Sequence, residues 1–239
     1  MLYQDTELLR LLRLLVILIP QPFIAILLFF LAFKLIKRKN TRPILTLVSF
    51  YILTAFGFIF NALTQFLSQM GLEEVLYLFY FISSYLLLFS FIFIPLFIIT
   101  ILKTEIEFKK HYYISIVFIY AILCALLYLT PEGIVINENG SVFYSPLFFF
   151  IVYLFFTLTI AIPTIIFSIR LHATFNDKNL KKKLRVFLFG VIQALVIIYG
   201  AVYFNTTLDP LYKSIWGVVV FCLLLSAGLC IYYGLGRNL

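Results

Sequence analysis

Long stretches without a single Asp, Glu, Lys or Arg alternate with short connectors that hold all the charge of this chain. The charge-free stretches are 14–33, 43–72, 75–102, 111–131, 139–169, 186–208 and 214–236. Each is long enough for a helix of about 20 residues, the length that crosses a hydrocarbon layer. The pattern predicts seven transmembrane helices over approximately 14–33, 43–67, 75–102, 112–130, 146–169, 186–204 and 214–235, forming one all-α membrane domain over residues 1–239. Ahead of them, Leu8-Leu9-Arg10-Leu11-Leu12-Arg13 spaces two cations three apart among leucines, which predicts a short helix at the outer interface. The apolar stretch that follows is too long for a signal-peptide core and lacks a small-residue cleavage pattern, so it reads as the first span. Pro20 and Pro22 in span 1, Pro95 in span 3 and Pro163 in span 5 each remove a backbone donor and are expected to kink or restart their helices.

Within the spans, polar and small positions recur at helical spacing. Thr54, Gly57, Asn61 and Gln65 mark one face of span 2, and Gly190, Gln193 and Gly200 mark one face of span 6. Small residues let helix backbones approach, and Ser, Asn and Gln bond across the contact. Gln21, Asn61, Gln65, Tyr80, Ser84, Gln193 and Tyr203 together form a polar set that falls mostly in one half of the bilayer, with Gln193 deeper. Two readings of this set stand side by side. It lines a ligand pocket with aromatic walls and a few uncharged hydrogen-bonding groups, or it joins helix to helix by bonds of about 0.6 kcal/mol each.

Composition and charge sharpen the picture. With 64% hydrophobic and only 12% charged residues, the chain falls far from the roughly 25% charge of a soluble domain. No connector is long enough for a core of its own, so no separate catalytic or DNA-binding domain is expected. The connectors 1–13, 68–74, 131–145 and 205–213 hold three basic and seven acidic residues, a net charge of −4. The connectors 34–42, 103–111 and 170–185 and the tail from Arg237 hold fifteen basic and three acidic residues, a net charge of +12. Basic connectors follow the cytoplasmic side, which predicts the N-terminus outside and the C-terminus inside a cell membrane. The formal net charge of +8 is therefore a topology signal, and nucleic acid is not an expected partner. Two sequons, at Asn139 and Asn205, fall on the expected exterior as possible glycosylation sites. The three cysteines Cys124, Cys222 and Cys230 lie inside spans and read as small buried apolar residues.

The segment 170–185 is the longest inner connector, and it carries Arg170, Lys178, Lys181, Lys182, Lys183 and Arg185. Such a cluster orients the chain, and it can also contact anionic head groups or a partner protein. No Asp, Glu, Lys or Arg lies deep in any span, whereas proton relays, ion-coupled carriers and voltage sensors place ionisable groups there. His111 and His172 both lie at span boundaries, so no metal-ligand cluster and no membrane-depth catalytic pair is expected. Lys213 stands at the outer end of span 7, away from the mid-helix position a retinal Schiff base needs. The expectation is a non-enzyme without a cofactor.

The run Lys181-Lys182-Lys183-Leu184-Arg185 leading into span 6, and a glycine-spaced last helix ending in Tyr232-Tyr233-Gly234, are similar to the seven-helix membrane sensor region of histidine kinases and cyclases. That resemblance implies a sensor or receptor-like module. It would bind a small apolar or weakly polar molecule, or a lipid, in its outer half. The sequence given ends at Leu239 without an effector domain, so the output is expected to pass to a separate partner at the cytoplasmic face. The topology also resembles that of G-protein-coupled receptors, although Thr104-Glu105-Ile106 stands where that family has Asp-Arg-Tyr. Pro20-Gln21 looks like the dipeptide of the PQ-loop proteins and small sugar facilitators, which makes a passive facilitator of uncharged solutes the alternative. Against it, Pro20 lies fourteen residues before its basic connector and Pro163 seven. The difference is about 10 Å of helix, where the internal repeat of that family needs matching depths. A scaffold subunit that anchors a complex is the third reading.

Overall fold

A computed structural model describes residues 20–38, 41–69, 73–103, 108–136 and 142–235 of the chain. The described elements, in order, are α1 (Pro20–Ile36), α2 (Arg42–Gln69), α3 (Glu73–Ser90), α4 (Phe93–Leu102) and α5 (Lys110–Leu127), followed by the strands β1 (Ile134–Ile136) and β2 (Val142–Tyr144). Next come α6 (Pro146–Phe156), a π-helical turn over Thr157–Ala161, α7 (Ile162–Thr174), α8 (Lys178–Thr206) and α9 (Pro210–Gly234). Among the described residues six stretches are long and apolar enough to cross a membrane: Arg42–Thr64, Val75–Leu102, Lys110–Leu127, Pro146–Thr174, Lys178–Thr206 and Leu211–Gly234. Helix α1 is apolar and shorter, at 17 residues. Residues 14–19 of the expected first span, the expected interfacial helix over 8–13 and the sequon at Asn139 lie outside the described residues. The chain thus has the architecture of a multi-pass helical membrane bundle.

The prolines act in different ways. The described part of α1 opens at Pro20-Gln21-Pro22, and the residues that a kink there would involve lie outside the described residues. Pro95 has no N–H to give the Phe91 carbonyl, so the chain tightens at Phe91–Ile92 and Ile94 N–H reaches back to Phe91 at 3.1 Å. Pro163 follows the π turn, whose last bond runs from Ile162 N–H to the Thr157 carbonyl. Two of the six stretches are therefore interrupted near mid-length, the first between α3 and α4 and the second between α6 and α7.

Two expectations about the connectors need correction. Residues 131–145 contain an antiparallel β-hairpin that pairs Ile134 with Tyr144 and Ile136 with Val142. The segment 170–185 is no long loop: only residues 175–177 separate α7 from α8. The basic residues continue a helix because Lys and Arg are good helix formers and because the Asp177 carboxylate accepts the Asn179 N–H at 2.8 Å as an N-cap. Cys222 is also exposed, whereas Cys124 is buried.

Close backbone approach sets the helix seams. Gly57 faces Leu87 of α3, and the Ser83 hydroxyl donates to the Gly57 carbonyl at 2.9 Å. The Thr54 hydroxyl meets Ser90 at 3.0 Å along the same seam, so that face of α2 packs on α3. Along α8, Gly190 lies against Ala227 and Ile231 of α9, and Gln193 bonds Ser226. Gly200 receives the Trp216 ring, which would stand only 2.0 Å from a Cβ. These seams run antiparallel and sort the chain into two ends. Tyr80, Tyr144 and Asn205 meet at one end, here the hairpin end. At the other, the basic end, Arg42 donates to the Phe108 carbonyl and Thr46 meets Tyr113.

Large apolar side chains cover much of the outside. In α5, Phe118, Ile119, Ile122 and Leu126 are exposed while Tyr120, Cys124 and Leu127 are buried. A face of that kind is stable in hydrocarbon and not in water.

Candidate functional site

Three arrangements combine polar chemistry with unusual backbone, and two interrupted helices connect them. The first lies at the hairpin end. The Tyr80 hydroxyl of α3 is 2.6 Å from the Tyr144 hydroxyl of β2, and the Asn205 amide of α8 donates to Tyr80 at 3.4 Å. Burial pushes the Tyr144 hydroxyl above its ordinary pKa, an effect opposed by its bonds to Tyr80 and Asn205. The Tyr128 hydroxyl is buried and has no partner among the described residues. Its ring packs on Phe81 at 4.6 Å and on Phe148 at 6.1 Å, and Phe148 also contacts Tyr144 at 4.9 Å. β2 passes directly into α6 through Ser145, whose hydroxyl caps the Phe148 N–H at 3.2 Å. Motion of Tyr144 is therefore motion of the first turn of α6.

The second arrangement lies at mid-depth. Phe91, at the interruption between α3 and α4, packs edge-on against Phe156 with ring centroids 5.2 Å apart. Phe156 is the last residue before the π turn. The two breaks thus touch each other, and Phe156 also meets Tyr199 of α8 at 5.8 Å. Thr157 opens the π turn and bonds the Tyr199 hydroxyl at 2.7 Å. A π turn holds an extra residue in the helix and marks a place where its register can change.

The third arrangement is a cleft of about 290 Å³ at the basic end, between the last turns of α4 and α7. Ile99, Leu102, Lys103, Phe167, Arg170 and Thr174 line it.

Not all of the expected polar residues meet. Tyr80 joins the hairpin-end cluster, and Ser84 one turn below bonds back to the Tyr80 carbonyl at 2.8 Å. Tyr203 is exposed and belongs to an aromatic row, 4.8 Å from Tyr212, which stacks in turn on Trp216. Gln193 donates to Ser226 at 3.1 Å, and its carbonyl oxygen is buried without a partner among the described residues. It lies twelve residues below Asn205 on the same helix, about 18 Å along the axis, so it belongs to the α8–α9 seam and not to the tyrosine cluster. Gln21 sits in the first turn of α1 with its carbonyl oxygen likewise buried and unpartnered among the described residues. Asn61 is half-buried on α2, and the side chain of Gln65 lies outside the described residues.

Of the expected basic contacts, Arg170 lines the cleft. Lys178, Lys182 and Arg185 are exposed and Lys181 and Lys183 half-buried on the first turns of α8. Sequence reasoning missed Tyr144, Tyr128 and Asn205 as one cluster, because the bonds of Tyr144 and Asn205 to Tyr80 span more than sixty positions. It also missed the π turn, for which Pro163 after Thr157-Leu158-Thr159 was the available signal. Among the described residues no three His, Cys, Asp or Glu side chains group as metal ligands.

The chain matches no family model, no curated protein and no solved structure.

Proposed function

We propose that the chain is a sensor or receptor-like membrane module that relays a change at its hairpin end to a separate partner at its basic end. The observation that carries this reading is the pairing of the two interrupted helices at three depths. α3–α4 and α6–α7 are joined at the hairpin end by Tyr80 and Tyr144, at mid-depth by Phe91 against Phe156, and at the basic end by the shared cleft. A push on the hairpin is thereby delivered to two helices that can each bend where the other bends. Such paired hinges are one of the recurring ways in which a fold converts a local contact into a displaced end. The charge difference between the ends supports placing the basic end in the cytoplasm of a cell membrane. The buried Tyr128 hydroxyl, without a hydrogen-bond partner among the described residues, favours a weakly polar molecule carrying a hydrogen-bond acceptor as the ligand class.

Spin labels at Lys109→Cys and Asn179→Cys in a chain otherwise free of cysteine, read as a distance distribution in nanodiscs, test the relay. Introducing Tyr144→Phe at the far end is expected to shift that distribution, and a distribution identical to that of the unmodified hairpin would overturn the reading. Uptake of uncharged sugars by proteoliposomes above protein-free liposomes would favour the facilitator instead.

A further inference from the structure

The cleft at the basic end combines two kinds of lining. Ile99, Leu102 and Phe167 are apolar, and Lys103 and Arg170 are cations. Residues 99, 102 and 103 share one face of the α4 end, and residues 167, 170 and 174 share one face of α7, by their three- and four-residue spacing. On α7 this face falls between two others. Thr164, Ser168 and Leu171 are buried in the bundle, and Ile165, Ile166 and Ile169 are exposed to the surroundings. The cleft therefore opens at the periphery of the bundle, where acyl chains lie, and not into its interior. Its height is that of a membrane interface, because the apolar stretch of α4 ends at Leu102 and Lys103 is the first residue beyond it. Among the described residues neither the Lys103 ammonium nor the Arg170 guanidinium has an acidic partner, and both side chains are exposed.

We infer that this cleft is a binding site for the head group of an anionic phospholipid, with its phosphate between Lys103 and Arg170 and its glycerol against Leu102 and Phe167. The volume of about 290 Å³ is at the lower limit of ligand pockets. It suits a head group whose chains continue outside along Ile166 and Ile169. An arginine fork and a lysine point charge are a common pair for phosphate oxygens. The apolar half of the lining selects a lipid over a free anion. The inference does not depend on the relay proposed above: a lipid held here would bind whether or not the helices move.

The test is lipid retention by the full-length chain, measured by native mass spectrometry in detergent supplemented with phosphatidylglycerol or phosphatidylcholine. A basic side chain near an anionic lipid surface is worth about fivefold in binding. The double variant Lys103→Gln with Arg170→Gln should thus retain phosphatidylglycerol roughly 25-fold less well, with phosphatidylcholine unchanged. Arg170→Lys should fall between the two. Lys34→Gln with Lys37→Gln, two exposed cations of the same end away from the cleft, should stay close to the unmodified chain. Equal loss in that control would show diffuse surface attraction and overturn the site, and so would undiminished binding by the cleft variant. Inorganic phosphate that competes as well as the lipid would show a free-anion site, which also overturns it. A photoactivatable phosphatidylglycerol on the unmodified chain gives a readout independent of the variants' folding. Its cross-links are expected in residues 96–103 and 164–174, and cross-links confined to other segments would refute the assignment.

Discussion

Tyr144 shows how much one hydroxyl can join. It ends a three-residue strand, bonds Tyr80 across 64 positions of sequence and stands beside Asn205 of a third element. Substituting Phe for Tyr144 removes one partner of a short bond and leaves the Tyr80 oxygen only the longer contact with Asn205. A lost buried hydrogen bond costs about 1 kcal/mol, so the Tyr144→Phe chain is expected to melt at lower temperature in detergent by that order of stability. An unchanged melting curve would mean that Tyr80 finds an equivalent partner. Asn205 carries two signals. Its sequence signature is a sequon, while in the fold its amide nitrogen, the atom a glycan would occupy, points at Tyr80.

At the scale of elements, the interruption at Phe91–Ile92 has two physical causes that can be separated. Pro95 withholds the donor that Phe91 would accept. Independently, Phe91 is wedged between Phe50 at 5.6 Å and Phe156 at 5.2 Å. Proline inside a helix costs about 3 kcal/mol relative to alanine, so Pro95→Ala is expected to slow amide hydrogen exchange over residues 88–98. No slowing would assign the break to the aromatic wedge. The expectation of kinks at Pro95 and Pro163 follows from a missing N–H, a local property. The π turn does not follow from it, because register over Thr157–Ala161 also answers to the Thr157–Tyr199 bond. The hairpin in 131–145 escaped notice for a related reason. Three-residue strands are below the length at which alternation can be read, and their pairing rests on the tertiary anchor at Tyr144.

At the scale of the molecule, the helices place the described basic connector residues, Arg42, Lys103, Lys109, Lys110 and those of 170–185, at the end opposite the hairpin and residues 205–209, and exposed Ile, Leu and Phe side chains occupy the surface between them. The charge imbalance makes orientation testable without any ligand. In right-side-out cells, a membrane-impermeant maleimide should label Leu208→Cys in a chain otherwise free of cysteine. Under the same conditions Lys178→Cys should react only after the membrane is opened. The reverse pattern would invert the topology and with it the direction of the proposed relay. Removal of the native cysteines is expected to be harmless at Cys222, which is exposed, and to cost stability at Cys124, which is fully buried.

The helical, apolar character of the chain and the uneven sorting of charge among its connectors were legible in the sequence because each is a property of a few neighbouring residues in a medium that penalises charge and unpaired backbone. The glycines and polar residues at Gly57, Gly190, Gln193 and Gly200 also marked their seams in advance, since helical spacing alone puts them on one face. Which polar residues meet is a different matter. Tyr80 finds Tyr144 and Asn205, Gln193 finds Ser226, and Lys103 and Arg170 come to line one cleft only when distant helices pack. Pairings of that kind depend on crossing geometry and depth, which no local pattern encodes, and the tertiary structure alone decided them.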